Sequence, residues 1–245
     1  AVKVQYPGVA DSIDADIGTL KTLVAPFAPK GLFLSTALEE LKGAMKSECD
    51  YEREANMTDR MGGLLGGDAA YGVPKVVREL SGMRVLTTEM VEGVPIDQVE
   101  KMDQATRDWV ARAMLRLTLK ELFEMRTMQT DPNWSNFLYD PKANKINLID
   151  FGACVEYPKD FCEDYGRLVS ASSARDREGI LSVSRRMGFL TGEEGGEFLD
   201  AHSAAAMITG EPFRGGSYDF GSCNMTQRNS EHITVMLAGR KTPPP

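Results

Sequence analysis

Histidine is scarce in this sequence, at two residues of 245, and the four cysteines (Cys49, Cys154, Cys162 and Cys223) share no Cys-x-x-Cys spacing. That combination argues against a structural zinc site and leaves the thiols as small core residues in a reducing compartment. No run of about 18 apolar residues occurs, so no segment reads as a membrane-spanning helix. Excess positive charge is missing too: 28 Lys and Arg against 36 Asp and Glu give a net charge of −8 at pH 7. A nucleic-acid partner is therefore disfavoured, because phosphate binding needs a basic footprint. No internal repeat is visible. No Met and no signal peptide open the chain. Ala1-Val2-Lys3-Val4-Gln5 is already an apolar strand, and the last residues are Thr242-Pro243-Pro244-Pro245, so the sequence reads as a piece of a longer protein.

What is present is ordinary globular composition, 42% hydrophobic and 26% charged, enough for one large domain or two small lobes. Val2 and Val4 alternate with Lys3 and Gln5 on a strand ended by Pro7-Gly8. A helical stripe of Ile13, Ile17, Leu20 and Val24 follows from Ala10 to about Phe27, broken by Pro26, Pro29 and Gly31. Thr36-Ala37-Leu38-Glu39 predicts the capping box of a second helix, on which Leu38, Leu41, Met45 and Glu48 share a face. Glu48 thus continues an apolar stripe and needs a charged partner. Gly62, Gly63, Gly66 and Gly67 mark a loop. Val73–Leu80 and Met83–Val91 read as strands around a Ser81-Gly82 turn. Residues 104–125 form a long helix, apolar on several sides and hence buried. A hairpin (Phe137–Tyr139, a turn over 140–144, Ile146–Ile149) comes next, then a mainly helical remainder from about Lys159 with a Gly-rich loop at 210–221.

Two acidic motifs flank the hairpin: Asp131-Pro132-Asn133-Trp134-Ser135-Asn136 before it and Asp150-Phe151-Gly152 after it. Either alone is common. In this order, after a buried helix, they have the layout of a kinase catalytic loop and metal loop. Asp131 would accept or orient the proton of the attacking hydroxyl or water. Asn136 and Asp150 would hold magnesium against nucleotide phosphates through hard oxygen atoms. Lys3, between two valines on its strand, is the candidate lysine for the α- and β-phosphates, with Glu48 as its ion-pair partner. Leu86 to Gly93 reads as a strand running into a hinge, where the backbone of Glu89, Met90 and Val91 would meet the adenine. These assignments predict an α+β, protein-kinase-like fold of two lobes. Residues 1–91 would make a partial β-containing N-lobe with a helical insertion, and residues 92–245 a mainly helical C-lobe.

Beyond this layout, Ala1 to Val9, Glu48-Cys49-Asp50-Tyr51-Glu52-Arg53-Glu54-Ala55, Leu86-Thr87-Thr88-Glu89, Met128 to Phe137 and Asp150-Phe151-Gly152 resemble the UbiB family of atypical kinases. The resemblance extends from the first residue past Thr191-Gly192 and is strongest to the mitochondrial coenzyme Q biosynthesis branch. It implies Lys3 as the nucleotide lysine, Glu48 as its partner, Asp50 as the second acid of a Glu-x-Asp motif and Asp131 as the catalytic-loop acid. Asn136 and Asp150 would be the magnesium ligands. It also implies ATP or ADP with Mg2+ as cofactors, and quinone-biosynthesis proteins and a lipid precursor as partners. The implied place is the matrix side of the mitochondrial inner membrane; other branches would place the protein in a bacterial cytoplasm or a plastid. Two family elements that lie before the strand lysine, an Ala-rich nucleotide loop and a Lys-x-Gly-Gln element, are not in this sequence. The implied activity is that of an atypical kinase or ATPase. A nucleotide-binding pseudokinase scaffold or lipid-extraction factor is the alternative from another class. A conventional protein kinase is a third, opposed by the insertion before Glu48 and by the lack of an Ala-Pro-Glu motif. The segment from Tyr6 to Phe33, with Val24, Phe27, Leu32 and Phe33, is the candidate for peripheral membrane contact.

Overall fold

The first strand, β1 (Val2–Val4), has no sequence neighbour to pair with and finds its partner far along the chain. It runs antiparallel to β3 (Val85–Thr87), with Lys3 opposite Leu86. The computed structural model describes residues 1–27, 33–131 and 133–239. Pro29, Gly31, Leu32 and Pro132, invoked above, lie outside them.

Two compact units divide the chain: Ala1–Thr19 with Glu40–Tyr157, and Leu20–Glu39 with Pro158–Pro245. Residue 91, the proposed lobe boundary, falls inside the first unit. The reason is a parallel pairing: β2 (Tyr71–Gly72) joins β7 (Lys145–Leu148), Tyr71 opposite Ile146. With β4 (Val94–Pro95) and β6 (Phe137–Asp140), the order is β2-β7-β6-β4, so segments from both sides of residue 91 share one sheet. Beneath it lies one core, containing Met57, Met61, Leu65, Val110, Leu117, Ile146, Leu148 and Phe151.

Helix α1 (Val9–Val24) buries Ile13 and Ile17. Helix α2 (Leu34–Glu48) begins two residues before the proposed cap at Thr36, and of its expected stripe only Leu38 is buried; Leu41 and Met45 are exposed. The chain breaks at Cys49 and restarts because Asp50 caps α3 (Tyr51–Leu65), accepting the Arg53 N–H at 2.9 Å. Tyr51, Glu54, Ala55, Thr58, Met61 and Leu65 then form a buried stripe at helical spacing. That burial carries the helix through Gly62 and Gly63, which were expected to be loop; tertiary packing overrides the roughly 1 kcal/mol propensity cost of each glycine. The strand expected over Val73–Leu80 reduces to an isolated bridge between Val76 and Thr88 and a short helical turn at Arg78–Leu80.

Helix α4 (Gln104–Leu119), capped by Asp103, continues into a π-helical turn at Lys120–Met125 before β5 (Thr127–Gln129). Strand β5 pairs antiparallel with β8 (Cys154–Glu156). The second unit contains α5 (Lys159–Ser173), α6 (Arg177–Arg186), α7 (Gly196–Thr209) and α8 (Met225–Gly239). Leu181, Leu190 and Phe198 are buried together there, with Leu199 and Met236 against them. Among the described residues, no helix is long and apolar enough to cross a membrane.

Candidate nucleotide and metal site

Pairing with β3 aims the Lys3 side chain at α3. Its Nζ donates to both carboxylate oxygens of Glu54, at 2.9 and 2.8 Å, and to Asp150 Oδ2 at 3.3 Å. The same ammonium lies 5.2 Å from the centre of the Tyr51 ring. Burial works to lower the Lys3 pKa, but the Glu54 hydrogen bond and the Asp150 charge outweigh it, and the net shift is upward. Glu54 is only 2% exposed, and burial together with the Asp150 charge raises its pKa despite the pull of Lys3. The pair is held by geometry more than by charge, since desolvation offsets most of the Coulomb gain in such pairs.

Glu48, expected as the Lys3 partner, is replaced in that place by Glu54. The cause is the helix break. Glu48 is the last residue of α2 and is exposed, whereas Glu54 stands one turn into the Asp50-capped α3, on its buried face. Glu48 stays nearby, lining a hollow of about 300 Å³ with Lys3, Tyr6, Cys49 and Tyr51.

The two acidic loops meet as the hairpin spacing requires. β6 and β7 pair from Phe137–Leu148 to Asp140–Lys145, which returns the chain from Asn136 to Asp150. The Ile149 N–H donates to the Asn136 carbonyl at 3.0 Å. Asn136 gives its side-chain nitrogen to Asp131 Oδ2 at 2.7 Å, which leaves its amide oxygen as the atom that could serve a cation. Asp150 Oδ1 accepts the Gly152 N–H at 3.0 Å, while Oδ2 faces Lys3. One amide oxygen and one carboxylate are hard oxygen donors of the kind that suits Mg2+ completed by phosphate and water oxygens.

Lys3 and Glu54 also stand at one end of a cleft of about 200 Å³. Leu86, Leu138 and Ile149 supply apolar lining, and Glu89, Met90 and Val91 line the same cleft. The Glu89 N–H is committed to the Lys75 carbonyl at 2.9 Å. Gly93, at φ +144°, permits the turn out of this segment; a Cβ there would stand 2.9 Å from Leu138 Cβ and 3.0 Å from the Tyr139 oxygen. Lys3, Asp131, Asn136, Asp150 and the segment 89–91 thus belong to one compact unit, and Glu48 lies at its edge.

Three contributors escaped the sequence reading: Glu54, Arg53 and Gln129. Arg53 donates to the Gly152 carbonyl at 2.7 Å and to the Cys154 carbonyl at 2.5 Å. Gln129 donates to the Asp150 carbonyl at 2.7 Å and accepts the Asp131 N–H at 3.1 Å. Glu54 was readable, since it falls on the stripe of Tyr51, Ala55 and Thr58 once Asp50 is taken as a cap. Gln129 has no such signal.

Residues 1–184 match the ABC1 atypical kinase-like domain. Over 248 residues and its full length, the chain is 49% identical to the mitochondrial atypical kinase COQ8B of Danio rerio, covering 40% of that protein. It is 43% identical to the mitochondrial atypical kinase COQ8 of Schizosaccharomyces pombe, covering 41% of it, and 39% identical to its Saccharomyces cerevisiae counterpart, covering 50%. The chain therefore spans about half or less of the length of these relatives. A solved structure of Rv3197 with erythromycin from Mycobacterium tuberculosis shares the fold, with a TM-score of 0.65 at 20% identity over 97% of this chain and 66% of that one. The chain belongs to the ABC1, or UbiB, family of atypical kinases.

Proposed function

We propose that this chain is the Mg-ATP-handling core of a mitochondrial atypical kinase or ATPase that supports coenzyme Q biosynthesis. The observation that carries the reading is Lys3, whose ammonium is shared between a buried helix carboxylate and the carboxylate of the Asp-Phe-Gly loop, at the end of a cleft lined by residues 89–91. Adenine fits between Leu86, Leu138 and Ile149. With the Glu89 N–H already used, the Glu89 carbonyl and the Val91 backbone are the groups left to read it. Lys3 would bind the α- and β-phosphates, and Asn136 and Asp150 would hold magnesium. Bound magnesium would supply neutralisation of phosphate charge. Asp131 would orient the acceptor hydroxyl or water, its carboxylate steadied by the Asn136 amide.

The named mitochondrial relatives support a mitochondrial place and the link to quinone biosynthesis; the matrix side of the inner membrane, biosynthetic proteins and a lipid precursor complete the proposal. Exposed Leu20, Leu23 and Phe27 give α1 and the turn after it an apolar surface suited to peripheral membrane contact.

The test is thermal shift with ATP and ADP, with and without magnesium, on this chain, on the full-length protein and on Asp150→Asn. A ligand that binds only the folded state raises stability by RT ln(1 + [L]/Kd). A magnesium-dependent shift absent from Asp150→Asn is the expected result. No nucleotide shift in the full-length protein would sink the reading.

A further inference from the structure

The segment from Asp150 to Cys154 leaves one strand and has barely entered the next, so little regular structure fixes where the Asp150 carboxylate points. Its backbone is tied down by other means. The carbonyl of Asp150 is taken by the Gln129 side chain at 2.7 Å, and that of Phe151 by the Cys154 N–H at 3.2 Å. Gly152 and Cys154 give theirs to the two ends of the Arg53 guanidinium, at 2.7 and 2.5 Å. The Ala153 carbonyl accepts from the Thr130 hydroxyl at 2.6 Å. Every carbonyl of the segment is therefore satisfied, and two side chains from outside it, Arg53 and Gln129, hold three of the five.

Their positions give these bonds a wider consequence. Arg53 directly precedes Glu54, so one turn of α3 grips the metal loop with one residue and Lys3 with the next. Gln129, 7% exposed at the end of β5, uses its amide oxygen for the Asp131 N–H and its amide nitrogen for the Asp150 carbonyl, so one side chain joins both acidic loops. A guanidinium suits the α3 side because its rigid fork spans two carbonyls at once, which a single ammonium does not. A carboxamide suits the other side because it donates and accepts in one plane and titrates at no physiological pH.

We infer that Arg53 and Gln129 are positioning residues that set the Asp150 carboxylate for metal binding and couple it to the Lys3–Glu54 pair and to Asp131. The inference rests on the nucleotide–metal reading proposed above. Neither residue lines the cleft of Leu86 and residues 89–91, so their loss acts on the metal carboxylate and spares that cleft.

The experiment measures, on the full-length protein, the magnesium concentration that gives half of the ATP-dependent thermal shift, alongside ADP binding without metal. The variants are Arg53→Lys, Gln129→Leu and, as control, Asp150→Asn. Losing one hydrogen bond to a charged or buried group is worth roughly tenfold in binding, so both positioning variants should raise the magnesium midpoint by about tenfold. Metal-free ADP affinity should stay within about twofold of wild type. A wild-type magnesium midpoint in variants that melt cooperatively, with Asp150→Asn inactive toward metal, overturns the inference and leaves the site reading standing. Equal weakening with and without metal also overturns it, by revealing a general structural role. If Asp150→Asn keeps its metal response, the site reading fails and the inference with it. Should Arg53→Lys not fold, Gln129→Leu decides alone, because it leaves the α3 side of the loop intact.

Discussion

Glu121 offers a quantitative test of how the fold is built behind its acidic loops. It lies in the π-helical turn at the end of α4, 3% exposed, with Oε1 buried and unpartnered. Burial pushes its pKa up from 4.5 to about 7, against the pull of one backbone N–H, that of Gln129. The native state therefore holds this proton more tightly than the unfolded chain. Stability from that proton is fully present below about pH 4.5, falls as the pH rises to about 7 and is flat above it. A shift of 7 − 4.5 = 2.5 units at 1.36 kcal/mol per unit gives about 3 kcal/mol in all. Roughly 2–3 kcal/mol of this falls between pH 5 and pH 8 by the same relation. Glu121→Gln removes the titration and keeps the shape. Denaturant unfolding of both proteins at pH 5, 6, 7 and 8 should show wild type losing stability relative to the variant by about that amount. In melting temperature this is roughly 4–12 °C for a chain of this size. The neighbouring Cys154 thiol, pushed up to about 12 by burial, stays out of the window. Groups common to both proteins cancel in the difference. Parallel stability curves would show that Glu121 is ionised in the native state and refute the reasoning.

Other perturbations separate the site's parts. Glu54→Gln should abolish most of the nucleotide-induced shift, because Lys3 loses its charged partner and faces an NH2 donor in place of one of the two oxygens that orient it; Glu48→Gln, at an exposed position, should change ligand-free stability by no more than about 0.5 kcal/mol. Retention of the full shift by Glu54→Gln would assign the lysine's orientation elsewhere. Lys3→Met leaves a buried carboxylate with no cation, so melting in the absence of ligand should drop at neutral pH and recover toward pH 5 as Glu54 takes up its proton; a pH-independent loss would contradict the pairing. In the second unit, Gly210→Ala would set a Cβ 2.6 Å from backbone atoms of Ser172 and Ser173, so a loss of about 2 kcal/mol or more is expected, read by the same unfolding assay.

Chemistry in this chain is more legible than topology, for a physical reason. The approach of Asp131, Asn136 and Asp150 is readable because the two loops that carry them are joined by a tight hairpin, and local spacing alone sets it. The β6–β7 register carries out that geometry. The Lys3 partner is settled by where a helix stops. A stripe extended through Leu38, Leu41 and Met45 leads to Glu48, but Asp50 offers its carboxylate to the Arg53 N–H and starts a new helix with a new buried face. Periodicity is only as good as the boundary from which it is counted, and the capping residue marks that boundary in the sequence. The parallel β2–β7 pairing is different in kind. Two residues, Tyr71 and Gly72, against Ile146 and Asn147 carry no local pattern, yet they place both sides of residue 91 in one unit. Gly72 is needed there because a Cβ would stand 2.1 Å from the buried Asn147 oxygen. Long-range pairing of this sort depends on room for a partner's side chain over the strand, which a sequence records only as an unexplained glycine.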